Sequence, residues 1–232
     1  MDKIPIIAVV GPTASGKTNL AIKLANYFSC PIINADAFQI YKDMNIGTGK
    51  ISSSSDDYKK HYLLDIRTPE ETYSVKDYQD DFRRTLNELL KTNENVIICG
   101  GTGLYLKAGL FDFSFPDEAP ADVSDLEKLD NETLYQMLKE LDPKATETIH
   151  INNRKRVIRA LEYYKETGEA ISKHNEEESQ KSSPYNFAFF VINDNRDILY
   201  ERINTNPHYI TLSHFFLSLV GEWRQKAAHL PK

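Results

Sequence analysis

Residues Gly11, Pro12, Thr13, Ala14, Ser15, Gly16, Lys17 and Thr18 have the types and spacing of a phosphate-binding loop, GxxxxGK[ST]. Glycines let backbone N–H groups converge on phosphate oxygens, and the start of the following helix favours an anion. Lys17 supplies a point charge for the phosphates, and Thr18 carries the hydroxyl expected on Mg²⁺. A carboxylate comes from Asp36, which ends the apolar run "PIINAD" at 31–36. At a strand's end facing such a loop, it suits a general base for an incoming nucleophile. An aspartate in that place also suits a helix cap or a turn. Loops of this kind that hydrolyse ATP are accompanied by a strand ending in Asp or Glu, which holds Mg²⁺ and helps position water. Here the run "VIIC" ends in Gly100, Gly101 and Thr102 without a carboxylate. That pattern favours transfer to an acceptor over bare hydrolysis.

These residues need a frame. Residues 4–10 are a short β-branched run ending in glycine, as expected of a buried parallel strand. "KTNLAIKLANYF" then places Leu20, Leu24 and Tyr27 at helical spacing, giving strand, glycine-rich turn and helix. "PIINAD" and "NVIICGGTG" (95–103) read as further buried strands. Between them, 73–93 reads as an amphipathic helix with Tyr78, Phe82, Leu86 and Leu89 or Leu90 on one side. Alternating strands and helices imply an α/β fold, a parallel sheet flanked by helices like that of P-loop nucleotide-binding proteins. Ligands there bind at the C-terminal ends of the strands.

After Leu110 the texture changes. "FDFSFPDEAPADVSD" reads as a connector, 131–141 and 153–167 as helices, and 174–184 as a polar loop. "FAFFVIND" at 187–194 returns to a β pattern. The expected organisation is a core of 1–111 and 186–204, a mostly helical insertion over 112–185, and a divergent tail over 205–232.

The bulk composition narrows the function classes. The 232 residues suffice for one substantial core and a smaller lobe. A net charge of −6 argues against a general nucleic-acid coat, which needs a broad cationic surface, though not against a local basic groove. Cys30 and Cys99 lie in apolar contexts without CxxC spacing, so neither a disulfide framework nor a zinc site is suggested. The six histidines are scattered. The run "YITLSHFFLSLVGEW" at 209–223 is too short and polar to span a bilayer comfortably. With a start that enters a strand directly, the expectation is a cytoplasmic protein.

Five ordered blocks together resemble one family, the tRNA dimethylallyltransferases (tRNA isopentenyltransferases). They are "GPTASGKT", "ADAFQIYKDMNIGTGK" at 35–50, "HYLLDI" at 61–66 with Tyr73-Ser74, "GGTGLYLKA" at 100–108, and "IHINNRKRVIRALEYYKETGEAIS" at 149–172. The resemblance covers about residues 4–204. It implies transfer of a dimethylallyl group from dimethylallyl diphosphate to N6 of the adenine immediately 3′ of the anticodon in tRNA. On that reading Gly11–Thr18 cradles the diphosphate, with Mg²⁺ through Thr18 and Lys17 neutralising the leaving group. Asp36 accepts the N6 proton, and Thr102 contacts the diphosphate or its bridging oxygen. The stretch Asp36, Ala37, Phe38 and Gln39 faces the RNA together with Thr102, with Gln39 suited to an extruded adenine edge. Lys155, Arg156 and Arg159, with Tyr163, form a basic face that holds RNA, opposite Val157, Ile158, Leu161 and Tyr164. The implied partners are a tRNA anticodon stem-loop and dimethylallyl diphosphate, with no membrane, and the chain is expected to be a monomer.

Three departures stand beside the resemblance. The family commonly has serine where this chain has Ala37, the connector at 112–130 is shorter than usual, and Asn206 replaces an expected arginine. From Thr205 onward no family pattern continues, which implies absent C-terminal helices and weakened catalysis. Two other readings therefore stay open: a small-molecule or nucleotide kinase with ATP in the loop, and a family remnant that only binds ligand.

Overall fold

Short apolar and β-branched runs become the strands β1 (Ile6–Val10), β2 (Ile32–Asn34), β3 (His61–Tyr62), β4 (Val96–Gly100) and β5 (Phe187–Val191). They pair in the order β3-β2-β4-β1-β5, every neighbour parallel. The computed structural model describes residues 5–115 and 121–205. Every residue of β2 and β4 is buried, as expected of parallel strands covered on both faces. The two-residue β3 is too short for a periodicity signal, and no strand was expected there.

Helix α1 (Lys17–Phe28) lays Ala21 and Ala25 against Val9, Ile32 and Ile97 of the sheet. This corrects the expected stripe. Leu20 and Leu24 are only partly buried, and Tyr27 is 82% exposed. Alanines let the helix approach the strands closely, so the small residues form the seam and the larger ones flank it. Helix α2 (Val75–Leu89) starts at a capping box: the Ser74 hydroxyl accepts from Asp77 N–H and the Asp77 carboxylate accepts from Ser74 N–H. It buries Tyr78, Phe82, Leu86 and Leu89, the expected face. Gln79 adds a side-chain amide bond to the Ala108 carbonyl in helix α3 (Gly103–Leu110).

The described residues divide into two compact units. One comprises the residues up to Leu110 and those from Pro184, with helix α7 (Arg196–Thr205) after β5; the other is Phe111–Ser183. The second unit contains α4 (Asn131–Leu141), α5 (Arg154–Thr167) and α6 (Ile171–Gln180). Its core is Leu126, Leu134, Leu138, Ala145, Val157, Ala160 and Leu161. Helix α6 corrects the polar loop expected over 174–184. Its buried residue is Glu178, whose carboxylate accepts from Ser114 N–H, the Ser114 hydroxyl and Lys181. A helix seated by a carboxylate presents no apolar stripe. Most of the divergent tail, including Asn206 and the apolar run at 209–223, lies outside the described residues, as does part of the connector. Among the described residues no helix is long and apolar enough to cross a membrane.

Candidate active site

The glycine-rich loop 11–18 leaves β1 at its C-terminal end and runs into α1. Gly16, at the helix's N-cap, has φ of 87°, a left-handed conformation that glycine adopts without a Cβ penalty. Lys17 Nζ donates to the Pro12 carbonyl at 3.2 Å and pairs with no carboxylate among the described residues. Ser15 Oγ is buried and has no hydrogen-bond partner there. A buried hydroxyl without a partner is costly. Together with an ammonium that no carboxylate neutralises among the described residues, it fits a group rich in acceptor oxygens.

A small cleft beside the loop is lined by Lys17, Thr18, Asn34, Asp36, Gln39, His61, Cys99 and Gly100. Of the residues singled out in the sequence, Lys17, Thr18, Asp36 and Gln39 therefore line one cleft. The cleft's two walls, the ends of β2 and β4, are close. A Cβ on Gly100 would overlap the Ala35 carbonyl group, so only glycine allows this approach. Ala35 N–H donates to the Cys99 carbonyl at 2.8 Å, and Thr102 N–H donates to the Ala35 carbonyl at 3.1 Å.

The turn carrying Asp36 is pinned at each amide. Asp36 N–H donates to Asn34 Oδ1 at 3.1 Å, Ala37 N–H to Thr102 Oγ1 at 3.0 Å, and Phe38 N–H to Asp36 Oδ1 at 3.0 Å. Asp36 Oδ2 has no partner among the described residues and remains able to accept a proton. Thr102 thus braces the Asp36 turn, while its hydroxyl hydrogen stays free to donate. Gln39 Nε2 donates to the Thr48 carbonyl at 2.9 Å, and its Oε1 has no partner among the described residues. Phe38 is exposed.

The segment following Gln39 is held by a buried ion pair. Lys50 donates to Asp65 Oδ1 and to the Tyr41 carbonyl, both at 2.5 Å, and its side chain is 0% exposed. The Tyr58 hydroxyl donates to Asp65 Oδ2 at 2.6 Å, and that bond is the main reason its pKa is pushed up to about 12.

Sequence reasoning missed four residues here. Cys99 forms part of the cleft's lining; the Thr18 hydroxyl hydrogen-bonds it, and burial pushes the thiol up to about 11. It is therefore a neutral thiol at physiological pH and a poor nucleophile. His61 lies in the block at 61–66, where nothing in the sequence assigns it a role. Its Nδ1 lies 2.8 Å from the Asp57 carbonyl, and burial holds its pKa below the usual histidine range. Arg202 donates to the Ala14 carbonyl of the loop at 3.4 Å and to Asp194 at 2.7 Å. Asn34 is a buried amide at a strand end, and buried polar groups need partners. That rule was a usable signal for it.

The basic residues 155, 156 and 159 belong to the second unit. Lys155 and Arg156 are exposed in the first turn of α5, with no carboxylate partner among the described residues. Cations are disfavoured at a helix N-terminus, so helix stability does not account for them. Arg159 is committed internally, to Glu162 at 2.7 Å and Glu166 at 3.2 Å. Tyr163, expected beside the cations, is 6% exposed and packs near His174; this corrects the face assignment, because Tyr163 lies one helical turn from Ala160 on the buried side.

The family model described as IPP transferase matches residues 39–209. The chain belongs to the IPP transferase family. A tRNA dimethylallyltransferase of Lachnoclostridium phytofermentans is 44% identical over 207 residues, 86% of this chain and 66% of the relative. The chain thus spans just under two thirds of the length of the curated relatives it matches first. Among solved structures, a tRNA delta(2)-isopentenylpyrophosphate transferase of Staphylococcus epidermidis is 32% identical with a TM-score of 0.58. That match covers 98% of this chain and 75% of the other. A eukaryotic dimethylallyltransferase acting on tRNA matches with a TM-score of 0.74 at 23% identity, over 97% and 57% of the two chains, a likeness of fold. The sheet and flanking helices are those of this fold.

Proposed function

We propose that the chain transfers a dimethylallyl group from dimethylallyl diphosphate to N6 of the adenine 3′ of the anticodon in tRNA. The observation that carries the reading is the meeting of Lys17, Thr18 and Asp36 in one cleft at the strands' C-terminal ends, in a chain of this family. The N6 lone pair attacks the allylic carbon while the carbon–oxygen bond to the diphosphate breaks. The bonding electrons leave with the diphosphate, whose charge faces Lys17 and the loop's N–H groups. The N6 proton passes to the free Oδ2 of Asp36. Gln39 Oε1 is available to accept the adenine's second N6 hydrogen, which favours an adenine extruded from its stack.

The unpartnered Ser15 hydroxyl, Lys17 and Thr18 also fit a Mg²⁺–diphosphate complex. Thr18 would hold the cation, with the diphosphate completing its shell, since Mg²⁺ usually takes substrate phosphates and water. The cation would neutralise charge on the leaving group. Lys155 and Arg156 would meet the RNA backbone, Arg159 less so. The reading places the reaction in the cytoplasm, by a monomer.

The test offers labelled dimethylallyl diphosphate and an anticodon stem-loop to the protein. The label should appear on the adenine, and Asp36→Asn should lower transfer by about 10²–10⁴ while the diphosphate still binds. Label moving from the γ-phosphate of ATP would replace this reading with a kinase. Binding of RNA or diphosphate without any transfer would reduce the protein to a ligand binder.

A further inference from the structure

Asn34 is 2% exposed and sits where β2 ends, two residues before the candidate base. Its side-chain amide makes three hydrogen bonds, with both Nδ2 hydrogens engaged. Oδ1 accepts from Asp36 N–H at 3.1 Å, and Nδ2 donates to the Asp36 carbonyl at 3.0 Å and to the Leu63 carbonyl at 3.1 Å. Its main-chain carbonyl accepts from the buried Tyr78 hydroxyl at 2.9 Å. One side chain therefore grips both main-chain polar groups of Asp36 and ties them to the segment after β3. Leu63 has φ of 59°, so the carbonyl receiving the third bond is held on an unusual backbone turn.

We infer that Asn34 is a positioning residue that aims the Asp36 carboxylate at the acceptor amine. The inference rests on the proposed prenyl transfer, in which Asp36 accepts the N6 proton of the adenine. The requirement for an amide follows from the bond count. Two carbonyls need donors and one N–H needs an acceptor, a set no hydroxyl or carboxylate supplies. An aspartate at 34 would keep the shape but turn an oxygen toward the carbonyls of Asp36 and Leu63. Alanine would leave all three groups unpaired.

The experiment measures kcat and KM for dimethylallyl diphosphate with an anticodon stem-loop in the wild type, Asn34→Ala and the isosteric Asn34→Asp. Amide hydrogen exchange at Asp36 and Ala37 is followed in the same proteins. Misplacing a reacting group by about 1 Å costs about 10²-fold, so kcat should fall about 10- to 100-fold in both variants. KM for the diphosphate should stay within about twofold, because the loop is untouched. Exchange at the Asp36 amide should accelerate. Unchanged kcat in both variants with an active wild type would overturn the inference and leave the proposed function standing. A KM rising in step with the fall in kcat would also overturn it, marking a general structural role. A wild type that transfers nothing defeats the proposed function, and unchanged Asp36 exchange would then defeat the latch as well.

Discussion

The two units hold their charged residues in opposite ways. In the sheet unit, Asp36 sits on a turn in which three successive amides are each taken by a side chain, and Lys50 lies in a buried ion pair. In the helical unit, Lys155 and Arg156 extend into solvent from a helix start, and Arg159 is drawn back by two glutamates. The first arrangement holds the chain through directional hydrogen bonds, which suits bond-making. The second supplies charge without fixed geometry, which suits contact with a phosphate backbone. Under the proposed function, the contrast separates a place for chemistry from a place for grip.

That contrast breaks most visibly at Lys17. Lys17→Ala should reduce transfer by about 10²–10³, the scale for losing one preorganised stabiliser of developing charge. Steady-state kinetics with saturating stem-loop would measure it. Lys50→Met comes next. Removing one partner of a buried pair strands the other, at about 3–5 kcal/mol, and the 21% exposure of the Asp65 side chain puts the loss at the lower end. Denaturant unfolding followed by fluorescence should show the loss, and equal stability would mean the pair does not brace the segment after Gln39.

Lys155→Ala with Arg156→Ala should have a smaller effect. The slope of log affinity for a stem-loop against log salt should fall by about 1–2, at about 0.7 for each phosphate contact in single strands. Arg159→Ala should change that slope less, since its guanidinium is already paired. A reversed order would erase the distinction drawn within α5. The smallest effect concerns His61, whose folded pKa lies below its unfolded value. The unfolded state therefore binds the proton more readily, and His61 contributes stability above about pH 6.5 that fades as the pH falls. Unfolding free energies measured from pH 8 to pH 5 should show a shallower decline in His61→Gln than in the wild type.

Features written in local pattern were legible in the sequence: the loop, the long strands, α2 with its stripe of Tyr78, Phe82 and Leu86, and α4. What escaped depended on residues that contradict the usual inside–outside rule. Helix α6 is seated by Glu178, so its buried side reads as charged. Helix α1 meets the sheet through Ala21 and Ala25, whose small size hides a seam that larger residues were expected to mark. Tyr163 and Tyr164 are adjacent in a helix, where one residue turns the face by about 100°, and it is Tyr163 that is buried and Tyr164 that is half-buried. At the site, Asp36 and Lys17 were found because their chemistry is conspicuous. Asn34 and Cys99 were passed over because their partners lie on other strands and turns, which spacing along the chain does not reveal.

Gly100 bears on heredity as much as on packing. Any change of residue there adds at least one carbon where the Ala35 carbonyl already stands. The two strand ends would separate, carrying Asp36 away from the loop while every ligand-facing side chain kept its identity. A lineage could lose this cleft through a single methyl group at a residue with nothing to offer a substrate.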